Sequence, residues 1–405
     1  MTRCIFHIDL DAFFVSVEQA LVPELLSKPV IVGGRPDRRG VVASASYEAR
    51  AFGVRAGMPL AKAYRLCPRA IFLQGSFPRY RNASARFMRI LADFSPCLEP
   101  MGLDEAYLDV TGCELYGSAR QLALNIKERV KRELNLVASV GIAGCKVVAK
   151  IASDSGKPGG LVEVAPGQEK GFLAPLPVAR LPGVGRKTEQ ALRVMGITGI
   201  GQLAALPPGL VKSRFGAAGM MIHHYANGVD NRRVEPPGEA KSISRETTFA
   251  QDTLDRRLLQ ATLRYLCERV GAELRQHSKQ ARSITLKLRY ADFETITRRL
   301  SSKEATNADE VIFAIVARLL DQALARKQKL VRLLGVEALN LVGDGKQLYL
   351  LDSMSQRMEH LDKAVDRIRK KYGFTSIQTG RTLALKDIFA SDKGDYMLET
   401  PSLSR

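Results

Sequence analysis

The residues best suited to chemistry are four carboxylates at two places in a 405-residue chain: Asp9 and Asp11 near the N-terminus, and the adjacent pair Asp104 and Glu105. In the run Cys4–Asp11, Ile5, His7 and Asp9 alternate with Phe6, Ile8 and Leu10, the period-two pattern of a strand that ends in carboxylates. Cys97–Val110 reads as a second strand pair, broken at Met101–Glu105. If the first strand lies beside that hairpin, Asp9, Asp104 and Glu105 converge. Three carboxylates without paired bases repel one another, and hard oxygen donors select Mg2+ or Mn2+. Asp104 and Glu105 are neighbours, so in a regular strand they point to opposite faces. A bend at Gly102 lets both face the metals. Any one pair could be solvated acids at a turn. The full set fits two-metal phosphoryl or nucleotidyl transfer, in which one ion activates an attacking hydroxyl and the other neutralises a triphosphate leaving group.

The rest of the chain is strongly basic. Lys and Arg number 61 against 42 Asp and Glu, a net charge of +19, which implies a polyanionic partner, nucleic acid or an anionic membrane. Residues 1–240 carry +10, 241–342 carry +7 and 343–405 carry +2, so the middle segment is the most basic per residue. Against that trend, 91–110 holds Asp93, Glu99, Asp104, Glu105 and Asp109 with no Lys or Arg. No apolar run approaches the ~20 residues that span a bilayer, and the N-terminus lacks a signal-peptide pattern; a cytoplasmic, nucleoid-associated monomer is expected. The six cysteines contain no C-x2-C pair and the five histidines are scattered apart from His223 and His224. A zinc site is therefore not expected, and the cysteines read as reduced thiols.

The length suggests roughly three domains. A helix is predicted through Val15–Leu21, short strands at Pro29–Gly34 and Gly40–Ser46, and a helical run from Tyr47 to Phe52. Leu122, Ile126, Val130 and Leu134 recur every four residues and mark an amphipathic helix over Ser118–Leu134. Leu136–Ile142 then reads as a strand, Lys146–Ser153 as a helix and Gly160–Val164 as a strand. Together these make an α+β unit, expected to be an antiparallel sheet covered on one face. The Pro-rich Ala165–Pro182 leads into a small helical domain up to about Asn227, and Asp230–Lys241 reads as a linker. Beyond it, helices at Leu254–Gln276 and Ala308–Ala325 with strands at Ser283–Tyr290, Glu294–Leu300 and Val331–Val342 form a second α+β domain.

Several motifs stand in one order: Asp9-Leu10-Asp11-Ala12-Phe13-Phe14-Val15-Ser16-Val17-Glu18, Tyr47-Glu48-Ala49-Arg50, Asp104-Glu105-Ala106-Tyr107-Leu108-Asp109 and Lys157-Pro158-Gly159-Gly160. In order and spacing they resemble the Y-family translesion DNA polymerases, most closely the DinB branch, over roughly residues 1–342. The resemblance implies an α+β multidomain, right-hand polymerase: a ferredoxin-like palm (1–10 and 75–165), small fingers (11–74), a helix-hairpin-helix thumb (166–230), a linker (231–241), an α+β little finger (242–342) and a C-terminal tail (343–405). It implies low-fidelity, template-directed DNA synthesis past damaged bases, with primer-template DNA and dNTP as partners, two Mg2+ ions (Mn2+ can substitute) and no proofreading exonuclease. Asp9, Asp104 and Glu105 are implied catalytic metal ligands, with the Leu10 carbonyl as a main-chain ligand. Phe14 matches the steric gate beneath the incoming sugar, and Phe13 packs nearby. Tyr47 and Arg50, one helical turn apart, and Lys157 match the triphosphate-binding set; read alone, Arg50 could be a solvated cation and the Phe pair ordinary core. Gly34, Val41, Ala43 and Gly57 match the roof over the nascent base pair, where small side chains leave room for a distorted template base. Two departures stand out: Gly102 where the family often has Ser, and Cys145-Lys146 in place of Asn-Lys.

Three further segments are candidate contacts. Leu181–Thr188 fails as a P-loop because Arg186 stands where the second glycine belongs. It reads instead as a helix-hairpin-helix in which Gly183 and Gly185 bring backbone N–H groups to a DNA phosphate, or as a packing corner. On Ser283–Tyr290, Ile284, Leu286 and Leu288 can face a core while Thr285, Lys287 and Arg289 line a polar face; Arg245, Arg298, Arg299 and Arg332 could extend that track. Gln347-Leu348-Tyr349-Leu350-Leu351 resembles the bacterial sliding-clamp peptide, or is a tail segment that packs on its own domain; Met358, Leu361, Val365 and Ile368 follow on a short amphipathic helix. The rival readings are a non-catalytic polymerase-like protein and a two-metal nuclease. The complete carboxylate set opposes the first, and the Tyr47, Arg50 and Lys157 set opposes the second.

Overall fold

The computed structural model describes residues 3–113, 117–343 and 354–389, with positions 391, 392, 394–396 and 398. The chain divides into two compact units whose boundary falls between Pro237 and Gly238.

In the first unit the order is β1 (Ile5–Leu10), α1 (Phe13–Leu21), β2 (Val30–Val32), β3 (Ser44–Ala45), α2 (Tyr47–Ala51), α3 (Leu60–Leu66), β4 (Ile71–Leu73), α4 (Phe77–Ala92), β5 (Leu98–Pro100), β6 (Glu105–Asp109), α5 (Ala119–Leu134), β7 (Ala138–Ala143), α6 (Lys146–Ser155) and β8 (Leu161–Glu163). One sheet runs β5-β6-β1-β7-β8. Its register sets Asp9 opposite Glu105 on β6 and Ser139 on β7. The pairs around β1 are antiparallel as expected, but β7 and β8 run parallel, joined by the crossover α6.

The sheet is covered on both faces, which corrects the one-sided expectation. Phe6, Ile8 and Leu10 pack with Phe87 and Leu91 of α4 and Ile126 and Val130 of α5. Ile5 and Tyr107 pack on the opposite side with Val147, Val148 and Ile151 of α6. Close approach of α6 needs Gly141: a Cβ there would stand 2.0 Å from the Ala149 carbonyl oxygen and 2.4 Å from the Ser153 nitrogen. A small second sheet, β3-β2-β4, closes over α3 through Ile31, Val42, Val54 and Leu60. The helices α7 (Glu169–Leu173), α8 (Arg186–Val194), α9 (Ile200–Ala204) and α10 (Pro208–Ala226) follow, packing Leu192, Leu203 and Ile222 into the same cluster as α6.

The second unit holds β9 (Ser242–Thr253), α11 (Arg256–Gln276), β10 (Lys279–Tyr290), β11 (Thr295–Thr306), α12 (Asp309–Arg326), β12 (Val331–Gly343) and α13 (Met354–Tyr372). Its antiparallel sheet, β11-β10-β12-β9, buries Ile284, Leu286 and Leu288 against Leu263, Leu266 and Val270 of α11 and Ile312 and Val316 of α12. Segments after α13 also pack here: Leu385, Phe389 and Tyr396 meet Ala261 and Tyr265 of α11.

Candidate active site

The site is built at the end of β1. Asp9 is only 8% exposed and faces Glu105 across the β1–β6 pair. The Leu10 N–H donates to the Asp104 carbonyl at 2.8 Å, which ties the two acidic segments by main chain. Asp104 precedes the first residue of β6, so strand alternation does not force it away from Glu105. Gly102 is not sterically required for this, since a Cβ there would meet only Asp104 Oδ1 at 3.7 Å.

Each carboxylate has a distinct electrostatic setting. Burial pushes Asp9 up to about 7; Lys157 opposes that shift and the charges of Asp104 and Glu105 add to it. Asp104 is likewise raised, first by burial and then by Glu105. Burial also works against ionised Glu105, but hydrogen bonds from His7 and Lys150 outweigh it and bring the group down to about 2. His7 Nε2 lies 3.3 Å from Glu105 Oε2, and its Nδ1 meets Ser153 Oγ at 2.6 Å. Among the described residues no group of three His, Cys, Asp or Glu side chains is already drawn together as a metal cage. Instead Lys157 Nζ lies 2.7 Å from Asp9 and 2.8 Å from Asp154, and Lys150 pairs with Glu105. Buried, crowded carboxylates, two of them raised by burial and by neighbouring negative charge, are a donor set that a hard divalent cation suits.

Asp11 has a role that the sequence reading did not assign. It is 3% exposed and accepts from Ser139 Oγ at 3.0 Å, the Gly159 N–H at 2.7 Å and the Tyr47 hydroxyl at 3.3 Å. It thereby ties β1, β7, α2 and the Lys157–Gly160 turn into one assembly. Tyr47 follows the Ser46 N-cap of α2, whose side chain accepts from the Ala49 N–H. Burial, then the Asp11 charge, lifts the Tyr47 phenol to about 12. The Arg50 guanidinium stacks 4.7 Å from the Tyr47 ring centre and donates to the Ala45 carbonyl at 2.9 Å. Tyr47, Arg50 and Lys157 are thus brought to the β1 end, with Lys157 engaged by carboxylates.

Phe13 is buried, while Phe14 is half-buried and stacks on Tyr80 of α4 with ring centres 4.4 Å apart. Tyr80, fixed by its 2.8 Å hydrogen bond to Glu18, is the second residue the sequence reading missed. A buried tyrosine on an unrecognised helix left no signal. Gly34 and Gly57 have φ of +110° and +79°, in the left-handed region that favours glycine. A Cβ at Gly57 meets nothing within 4 Å, and one at Gly34 meets only Leu60 at 3.8 Å. Val41 bridges to Pro59, and the Ala43 N–H donates to the Val32 carbonyl at 2.8 Å, so all four roof candidates sit on the β2–β3–α3 layer.

Among the outlying candidates, Gly183 (φ +92°) and Gly185 form the turn that starts α8. A Cβ on Gly185 would meet nothing within 4 Å, whereas Gly183 faces Ile222 and Met221. Lys287 and Arg289 lie on the polar sheet face, Lys287 paired with Glu246 at 2.6 Å and Arg289 bonded to Thr295 at 2.9 Å. Arg332 stacks 4.5 Å from the Phe293 ring centre. Arg245 is a correction: it is register partner to the core residue Val336 and its guanidinium lies 2.6 Å from Glu273 of α11, so it points to the helix side. Strand alternation from Ile243 already required this. Cys145 is buried at the start of α6, 3.4 Å from the Gly228 carbonyl. Gln347, Leu348, Leu350 and Leu351 lie outside the described residues.

This geometry has close relatives. Residues 8–154 match the impB/mucB/samB family model, residues 240–350 its C-terminal domain, and 179–230 the DNA polymerase-iota thumb domain. A DNA polymerase IV of Dehalococcoides mccartyi strain CBDB1 is 53% identical over 388 residues, 96% of this chain and 99% of the relative. This chain belongs to the Y-family DNA polymerases, in the DNA polymerase IV group. A second DNA polymerase IV, from Halorhodospira halophila, is 46% identical over 82% of this chain and 94% of its own length. Among solved structures, a Dbh–Dpo4–Dbh Y-family DNA polymerase chimera matches with a TM-score of 0.77 at 28% identity, covering 84% of this chain and 99% of that one. An insertion ternary complex of Dbh DNA polymerase matches at 0.59, with the same identity and coverage. The chain is therefore a metal-dependent, DNA-directed DNA polymerase of the translesion class, with the palm, fingers, thumb and little finger of that family. No helix among the described residues is long and apolar enough to cross a membrane.

Proposed function

We propose that Asp9, Asp104, Glu105 and the Leu10 carbonyl hold two Mg2+ ions, and that Tyr47, Arg50 and Lys157 bind the dNTP triphosphate. The observation that carries this reading is the register of β1 against β6, which sets Asp9 opposite Glu105 at the strand end where Asp11 gathers Tyr47 and the Lys157 turn. When bound, the two ions activate the primer 3′-OH and neutralise the leaving pyrophosphate. Binding requires Asp9 to give up Lys157, whose ammonium, still beside Asp154, can then turn to phosphate oxygens. Tyr47 and Arg50, held by Asp11 and the Ala45 carbonyl, meet the same triphosphate from α2. Primer-template DNA crosses the Gly183–Gly185 turn and the Lys287–Arg289 face; the protein acts as a monomer on the nucleoid.

The metal reading has a pH signature. Asp9, raised to about 7, must lose its proton to ligate, whereas Glu105 at about 2 is ionised throughout. Proton and metal therefore compete below pH 7. The Mg2+ concentration for half-maximal incorporation is expected to rise about tenfold from pH 8 to pH 6; an unchanged value would remove Asp9 from the ligand set.

Phe14, backed by Tyr80, is the proposed gate beneath the sugar. Phe14→Ala should raise ribonucleotide incorporation at least about tenfold relative to dNTP, and an unchanged ratio in single-nucleotide assays would exclude it. Gln347, Leu348, Leu350 and Leu351 are the proposed contact with a sliding clamp. Deleting 347–351 should abolish clamp stimulation of primer extension and spare clamp-free synthesis; undiminished stimulation would refute the contact.

A further inference from the structure

The second unit carries a basic cavity that shares no residue with the metal, dNTP and primer-template contacts proposed above. It lies between α11 and α13, measures about 990 Å3, and is lined by Arg275, His360, Lys363, Arg367, Arg369 and Lys370. Among its described lining residues the one carboxylate, Asp366, is already taken by Arg275, at 2.6 and 2.9 Å. On α13, Asp366 and Arg369 turn toward α11, where Arg369 Nη2 donates to Glu268 at 2.5 Å. His360, Lys363, Arg367 and Lys370 recur at three- and four-residue steps on the neighbouring flank, a stripe about 15 Å long. Arg367 and Lys370 are exposed and form no ion pair among the described residues.

The cavity wall is charged beneath that stripe as well: the Arg369 side chain is 5% exposed, held by Glu268 and the Ile377 carbonyl, and its buried Nη1 has no hydrogen-bond partner among the described residues. Buried guanidinium donors are normally satisfied. Phe374, also on the lining, already carries the guanidinium groups of Arg269 and Arg369, 4.6 and 4.2 Å from its ring centre. Stacking of a nucleobase on Phe374 would have to displace those cations. The ligand features that remain are negative charge and length.

We propose that this cavity and stripe bind the sugar-phosphate backbone of a single-stranded nucleic acid, without regard to sequence. The site is distinct from the polar sheet face carrying Lys287, because α11, whose apolar side packs on the sheet, stands between them. A stripe of about 15 Å exceeds one triphosphate and suits three or so successive phosphodiesters. Without stacking, such a contact is weak and strongly salt-dependent.

The test uses the full chain saturated with unlabelled primer-template DNA, to which a fluorescent oligothymidylate of about 12 nucleotides is added at low salt. Wild type should bind it, with affinity falling steeply as salt rises. Lys363→Gln, Arg367→Gln and Lys370→Gln together should weaken this binding at least about tenfold and flatten the log–log salt slope by about 2. Primer-template affinity in the same samples should change less than about twofold. A matched control, Arg257→Gln with Arg318→Gln and Arg326→Gln, removes equal charge from exposed positions of α11 and α12 and should keep oligothymidylate binding. Absence of binding to the saturated wild type, equal binding by the first triple variant, or equal loss in the control would each overturn the proposal. So would displacement of the oligonucleotide by equimolar free dNTP, which would mark a compact polyphosphate site instead.

Discussion

Asp104→Ala is expected to lower single-nucleotide incorporation by at least about 10^3-fold while raising the thermal unfolding temperature at pH 8. The loss follows from the role proposed for the carboxylate: a charge that holds the ions bracing an in-line displacement contributes several kcal/mol that no neighbour replaces. The gain follows from the direction of its titration. Burial and Glu105 raise the folded-state pKa of Asp104. A carboxyl raised above its unfolded value binds its proton more tightly when folded, so its ionisation costs stability that grows as pH rises through the folded pKa. Alanine removes that cost, and the advantage should shrink toward pH 4. Thermal melts with parallel rapid-quench assays separate the two effects; a variant that is both inactive and less stable at pH 8 would mean Asp104 is structural.

Asp11→Ala should show the opposite signature, losing stability and substrate affinity together. Its carboxylate accepts from Ser139, Gly159 and Tyr47 in a buried setting, and alanine leaves those donors without a partner. Each orphaned donor costs about 1–3 kcal/mol, so a loss of roughly 3 kcal/mol or more is expected. The KM for dNTP should rise at least about tenfold, because Tyr47 and the Lys157 turn lose their common anchor. Asp11→Asn, which keeps the shape and one acceptor, should recover part of both. Unfolding curves and steady-state kinetics would contradict this if KM stayed at the wild-type value.

The two variants mark what was readable in the chain. Asp9, Asp104 and Glu105 were legible because carboxylates at strand ends in a basic protein need an explanation, and β1, α5 and β10 carry clean apolar periods. Asp11 was not assigned, because its partners lie 36 to 148 residues away and the spacing of the motif does not encode them. Helix α4 escaped notice because Ser84 interrupts the apolar face of Tyr80, Phe87 and Leu91, and Arg79, Arg81, Arg86 and Arg89 make the segment look like a basic surface run. With it went Tyr80, the residue that backs Phe14. The second covered face of the palm sheet was missed because β1 is buried along its whole length, and His7 and Asp9 read as a polar face when they in fact meet α6 and the site.

The second unit teaches a related lesson. Met358, Leu361, Val365 and Ile368 form a real stripe on α13, yet Leu361 is 62% and Ile368 41% exposed. The contact with α11 is made instead by ion pairs, Arg369 with Glu268 and Arg275 with Asp366. Amphipathic spacing names a helix; it does not name the face that packs.

The most direct measurement of the central claim is extension of a labelled primer on a defined template with dNTPs and Mg2+, comparing wild type with the Asp104→Ala, Glu105→Ala double variant on a denaturing gel. Wild type should add nucleotides in template order, with no shortened strands, and the double variant should add none. Shortened strands without incorporation, or normal extension by the double variant, would contradict the assignment of these carboxylates to DNA synthesis.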